Sequence, residues 1–326
     1  MTFAIVFPGQ GSQSVGMLGQ LAEAFPIVRQ TFEEASTEFH QDMWQLVSAG
    51  PPEALNRTEN TQPAMLAAGV AVWRVWEQLT GVHPVVMAGH SLGEYTALVC
   101  AGALDFPAAL KLVRVRAQLM QDAVPEGTGS MAAILGLDDA QVHQACVQSS
   151  DATDRAAVAN FNAPGQVVIA GHRIAVERAV QCAKKLGAKR AIVLEVSVPS
   201  HCELMRPAAR AFQEALTAST VRTPRFPVIN NVDVTANQDP ARIKDALVRQ
   251  LYSPVRWVET VRAMRGYGAM RVVESGPGKV LVGLIKRIDQ DMKSWCVADE
   301  AVMREAAAEL APAPRGDQGG NSRSAG

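Results

Sequence analysis

The chain has 326 residues, 48 % of them hydrophobic and 19 % charged, with a formal net charge of −1. That length and apolar share suit a globular protein with a substantial core, built as one large domain or as a domain carrying a smaller insert. The near-zero charge gives no basic field for nucleic acid, and no run of about 18 apolar residues exists to span a membrane.

In chain order, residues 2–7 (TFAIVF) are expected to form a buried strand that ends at Pro8 and a glycine loop. Residues 64–79 carry a long helical pattern, 85–88 a second buried strand, and 106–123 a further helix. Strands alternating with helices predict a parallel sheet covered on both faces. The rhythm then changes. Strands are expected at 131–135, 156–161, 166–170 and 191–196, with helices at 138–149 and 174–186. That order, β-α-β-β-α-β, is the ferredoxin-like pattern. The parent pattern resumes with helices at 203–218 and 239–252 and strands at 227–232 and 270–274. We therefore expect a large α/β subdomain of residues 1–127 and 197–311 and a small ferredoxin-like subdomain of 128–196. A tail of 312–326, rich in Gly, Ser, Pro and Arg, is expected to be disordered.

The five cysteines, Cys100, Cys146, Cys182, Cys202 and Cys296, form no C-x-x-C pair and are odd in number. Reduced thiols and a cytoplasmic location are expected, without a metal site. The N-terminus lacks the basic start and long apolar run of a signal peptide.

The strand at 85–88 runs into Gly89-His90-Ser91-Leu92-Gly93, a G-x-S-x-G sequence in a strand–turn–helix setting. Such a turn exposes a serine hydroxyl, and its glycines remove side chains that would clash. It also leaves the Leu92 N–H at a helix start, free to receive a developing oxyanion. The alternative is a purely structural turn. Of six histidines, His201 in "VSVPSHCELM" follows the serine and lies between a strand and a helix, which makes it the candidate base or else a loop histidine. The usual Ser–acid–His order finds no obvious acid between Ser91 and His201. Asp233 and Asp239 are out of order, and a backbone carbonyl fixes an imidazole tautomer equally well.

In the 106–123 helix, at about 100° per residue, Lys111, Arg114, Gln118 and Asp122 share one face. Arg116 points the other way, among Ala109, Leu112, Leu119 and Met120. A guanidinium on an apolar face meets either a buried carboxylate of the protein or an anionic ligand, and it matches a carboxylate bidentately. "FPGQGSQ" lacks the third glycine of a dinucleotide loop, and "ESGPGKVLVGL" lacks the first glycine and the hydroxyl residue of a phosphate loop. Both are expected to be tight turns at strand ends. The first would present the Gln10 N–H as a second oxyanion donor.

Taken together, "FPGQGSQ", "GHSLGEY", Arg116 in "RVRAQLMQ", "VPSHCELM", "NNVDV", "LVRQLYSPVRW" and "ESGPGKVLVGL" resemble, in order, the malonyl-CoA:acyl carrier protein transacylases, from about residue 3 to 310. The resemblance is nearest to the free-standing bacterial enzymes of fatty acid synthesis. It implies an α/β-hydrolase-like core with a ferredoxin-like insert, Ser91 as nucleophile and His201 as base. It also implies an oxyanion hole from the Gln10 and Leu92 amides, Arg116 holding the malonyl carboxylate, and Gln250 orienting His201 through its main-chain carbonyl. Malonyl-CoA and an acyl carrier protein are the implied partners of a monomeric enzyme that needs no metal or redox cofactor. Ser200 and Met120 are expected to shape the acyl pocket. The rivals are an esterase or thioesterase of the same fold, a non-catalytic carrier-protein module, and an acyltransferase of polyketide synthesis or malonate decarboxylation.

Overall fold

The structure, a computed structural model, describes residues 2–194, 196 and 198–311. Among the described residues, nine strands form two sheets. The first sheet contains β1 (Ala4–Phe7), β2 (Val86–Gly89), β7 (Val228–Ile229), β8 (Arg271–Glu274) and β9 (Lys293–Cys296). Its order is β7-β2-β1-β8-β9 and every pairing is parallel. The second contains β3 (Gly129–Leu135), β4 (Ala156–Ala163), β5 (Gln166–His172) and β6 (Arg190–Val193), in the antiparallel order β4-β5-β3-β6.

The parallel sheet is buried on both faces, so its strands are continuously apolar and not alternating. On β1, Ile5 and Phe7 enter one core cluster with the helix Thr58–Thr80, while Ala4 and Val6 enter another with Trp257, Val261, Leu284 and Ile285. In the second sheet, the helices Asp139–Ser149 and Arg173–Lys185 cover one face through Val142, Cys146, Val176 and Val180. Asp138 opens the first of these helices with a reciprocal capping box to Gln141. The second sheet is tied to the rest of the chain through Val255, ahead of the helix Trp257–Met264: it donates to the Ala159 carbonyl and its own carbonyl accepts from Phe161, both at 2.9 Å.

Several elements differ from the sequence expectation. The long helix starts at Thr58, six residues early, because Pro63 lies near its N-terminus and removes only one intrahelical bond. The strand expected at 227–232 shrinks to Val228–Ile229. There the Asn230 side chain bonds Thr235 and the two asparagines leave the sheet. The stretch from 203 opens as a 3-10 turn, Glu203–Met205, before the helix Arg206–Ala218. The helices Gly19–Ala24, Pro26–Phe39, Met43–Ala49, Pro52–Leu55, Trp257–Met264, Val280–Ile288 and Glu300–Leu310 and strand β9 were not anticipated. The expected tail at 312–326 lies outside the described residues, as do positions 195 and 197.

Candidate active site

The loops leaving the carboxyl ends of β1 and β2 lie side by side, which is where open parallel sheets bind ligands. After β2 the chain turns sharply. Ser91 has φ 52°, a left-handed conformation that is strained for a residue with a Cβ. The flanking glycines explain how the turn closes. A Cβ on Gly89 would lie 1.8 Å from the Gly93 carbonyl carbon, and one on Gly93 would lie 2.1 Å from the Phe7 carbonyl oxygen. Asn231 holds the turn from outside: its Oδ1 accepts from Ser91 N at 2.7 Å and its Nδ2 donates to Gly89 O at 2.7 Å. The helix Gly93–Cys100 starts immediately beyond.

The Ser91 hydroxyl lies 2.8 Å from His201 Nε2. His201 is 3 % exposed and has φ 63°, a second strained position. Its Nδ1 lies 2.8 Å from the main-chain oxygen of Gln250, at the end of the helix Pro240–Gln250. A carbonyl only accepts, so Nδ1 carries the proton and Nε2 offers its lone pair to the serine. Burial, followed by the nearby Arg116 charge, pushes the imidazole down to about 3, so it is neutral at ordinary pH.

The two out-of-order carboxylates are engaged elsewhere. Asp233 takes a bidentate ion pair from Arg249 at 2.8 and 2.6 Å, and Asp239 caps the helix Pro240–Gln250 through Ala241 N. Among the other histidines, His90 alone also lines the site, and it bonds Asn162 Oδ1 at 2.8 Å, not the serine.

Arg116, on the helix Phe106–Asp122, is 2 % exposed, while Lys111, Arg114, Gln118 and Asp122 on the opposite face are in solvent. Its Nη1 donates to Gln62 Oε1 at 2.8 Å, and its Nη2 to Gln250 Oε1 at 3.2 Å and Ser91 Oγ at 3.3 Å. The Tyr95 ring lies 5.5 Å beneath it, and its Nε has no partner among the described residues. These partners are all neutral, so no carboxylate directly offsets the charge. The ion pair expected under the structural alternative is not formed.

These groups open onto a cavity of about 240 Å³ between the sheets. The Gln10 and Leu92 loops form one wall, Met131, Asn160 and Val168 of the antiparallel sheet another, and Met120 and Ser200 also line it. Neither the Gln10 nor the Leu92 N–H donates to a described partner, and both flank Ser91 at the cavity. The arrangement fits acyl transfer through a serine ester: a nucleophile, a neutral base of fixed tautomer, free amide donors and a buried cation. The six residues singled out in sequence are therefore brought to one place. Gln62, Glu94, Asn162 and Asn231 were missed. A legible signal existed for Glu94, a lone carboxylate in the otherwise uncharged helix Gly93–Cys100, since the argument that exposed Arg116 applies to it equally.

The chain is similar to known proteins over most of its length. The acyl transferase domain model matches residues 4–323. The chain is 57 % identical over 300 residues to the malonyl CoA-acyl carrier protein transacylase of Haemophilus influenzae, covering 92 % of this chain and 96 % of that protein. It is 54 % identical over 304 residues to the one from Salmonella typhimurium, covering 93 % and 98 %. Among solved structures, an acyl carrier protein S-malonyltransferase from Vibrio cholerae superposes with a TM-score of 0.91 at 56 % identity, covering 94 % of this chain and all of that one. A malonyl-transacylase solved in complex with a type II PKS acyl-carrier protein superposes with a TM-score of 0.93 at 53 % identity, covering 95 % and 100 %. The chain belongs to the acyl transferase family and, within it, to the malonyl CoA-acyl carrier protein transacylases.

Proposed function

We propose that this protein moves the malonyl group of malonyl-CoA to the phosphopantetheine thiol of an acyl carrier protein, supplying malonyl units for fatty acid synthesis. The observation that carries this reading is Arg116, a buried guanidinium with only neutral partners, 3.3 Å from the Ser91 hydroxyl. A carboxylate at the far end of the acyl group supplies the missing anion. An acetyl group leaves that charge without one, and is disfavoured accordingly.

The steps follow the general logic of covalent catalysis. Ser91 Oγ attacks the thioester carbonyl as its proton passes to His201 Nε2. Gln250 O, bonded to Nδ1–H, steadies the imidazolium. The tetrahedral oxyanion rests on the Gln10 and Leu92 amides. The C–S bond breaks, CoA leaves with the proton from His201, and a malonyl–Ser91 ester remains. The carrier's thiol then repeats the sequence in reverse and frees the serine. This transesterification calls on no metal or redox cofactor.

We read the frame as an α/β-hydrolase-like core, residues 1–127 and 197–311, with a ferredoxin-like insert at 128–196. The parallel sheet and the 4-1-3-2 order of the insert's own strands support this. We read the protein as a monomer because Ser91, His201, Arg116 and Gln250 meet within a single chain and need no second copy, and five free cysteines support a reducing, cytoplasmic setting. No helix among the described residues is long and apolar enough to cross a membrane.

The test is intact-mass spectrometry in two stages. Malonyl-CoA should load one malonyl group onto the protein but none onto Ser91→Ala, and holo carrier protein should then remove it much faster than water does. Removal by water alone at the same rate would make the protein a thioesterase, and an adduct on Ser91→Ala would remove Ser91 from the scheme.

A further inference from the structure

Gln250 meets the site at both ends. Its main-chain oxygen takes the His201 Nδ1 proton, while its side-chain Oε1 accepts from Arg116 Nη2. The other end of the same amide, Nε2, donates to Glu94 Oε2 at 2.8 Å and to the Ser91 carbonyl at 3.1 Å. The two ends of an amide have the same shape and opposite hydrogen-bonding character. Arg116 only donates; the Ser91 carbonyl and an ionised carboxylate only accept. With Glu94 in place the amide therefore has a single satisfied orientation.

Glu94 is itself fixed. Asn231 N donates to the same Oε2 at 2.9 Å, and the Asn231 side chain holds the turn around Ser91. Glu94 is 2 % exposed and Gln250 fully buried, so water does not supply substitute partners.

We propose that Glu94 is a positioning residue for acyl selection: by locking the Gln250 amide it aims Oε1 at Arg116 and holds the guanidinium where an acyl carboxylate must bind. This rests on the reading of Arg116 as the seat of that carboxylate. Burial raises the Glu94 carboxyl to about 7 even against the lowering by Asn231, Gln250 and Arg116, so the anion predominates above that pH.

The experiment compares acylation of Ser91 by malonyl-CoA and acetyl-CoA in the full-length protein and in Glu94→Gln, Gln250→Met and Arg116→Met. A glutamine at 94 offers both a donor and an acceptor, so the Gln250 amide loses its charged anchor and is held only by the longer bonds to the Ser91 carbonyl at 3.1 Å and Arg116 at 3.2 Å. Glu94→Gln should lower malonyl kcat/KM about 10-fold or more beyond any loss for acetyl, mainly through KM. Gln250→Met keeps the main-chain oxygen on His201 and should shift the ratio in the same direction. It carries the test alone if Glu94→Gln does not fold. Equal losses for both substrates would overturn the proposal and leave Glu94 as a support of the turn. If Arg116→Met itself keeps full malonyl preference, the underlying reading of Arg116 fails. If Arg116→Met loses that preference while the other two variants keep it, only the role of Glu94 fails.

Discussion

The Arg116 charge bears on the base as well as on the acyl carboxylate proposed to bind it, and Arg116→Met separates the two effects. Arg116 Nη2 lies 3.3 Å from Ser91 Oγ, which lies 2.8 Å from His201 Nε2. The charge and the imidazole are thus within about 6 Å, where a unit charge at an effective dielectric constant of about 20 is worth about 3 kcal/mol. That corresponds to roughly two pKa units, and it acts in the same direction as burial, the larger cause that holds His201 down to about 3. Removing the charge should raise His201 to roughly 5, making it a stronger base that is still neutral at pH 7. A malonyl carboxylate bound to Arg116 as proposed would do the same by neutralisation, whereas acetyl would not. Part of the selectivity should then appear in the acylation step, up to about 100-fold, and not only in binding. The assay is single-turnover acylation of Ser91 from pH 4 to 8, with His201 followed by NMR titration. In Arg116→Met, malonyl acylation should slow and acetyl acylation should accelerate, and the acidic limb of the acetyl profile should move to higher pH. An unmoved His201 titration with an unmoved acetyl rate would refute the electrostatic argument.

Three further outcomes concern the frame. Gly93→Ala would put a Cβ 2.1 Å from the Phe7 carbonyl oxygen, a backbone atom that cannot swing aside, so urea unfolding should show a loss of about 3 kcal/mol or more. Gly283→Ala, on the exposed face of the helix Val280–Ile288 with nothing near its Cβ, should instead gain about 0.5–1 kcal/mol. Glu274 closes β8 and caps that helix through Leu281 N at 3.1 Å and Val282 N at 2.8 Å, and burial raises its carboxyl from 4.5 to about 7. A folded-state value above the unfolded one gives stability that is full below pH 4.5 and lost as the pH rises through 7, about 3 kcal/mol in all. The stability difference between the wild type and Glu274→Gln should shrink by that order across this window; a constant difference would refute the assignment.

Short-range rules alone made three features legible in the residue order. Gly89 to Gly93 marks a turn because two glycines four apart, between an apolar strand and a helix, leave room for little else. Arg116 is marked as buried because 100° per residue carries it to the apolar side of its own helix. The β-α-β-β-α-β order of the middle third was legible because each element is short and bounded by turn residues. Only the tertiary structure decided the partners. Glu94 meets Gln250 across 156 positions and Asn231 across 137, and no local pattern encodes such a pair. It also settled the choice between an acid and a carbonyl behind His201. Asp233 is taken up by Arg249, and the Gln250 main-chain oxygen arrives because the last residue of its helix leaves that carbonyl without an intrahelical partner. Periodicity fixes which face of an element is buried; which polar groups meet there depends on how the faces pack, and packing is a property of the whole chain.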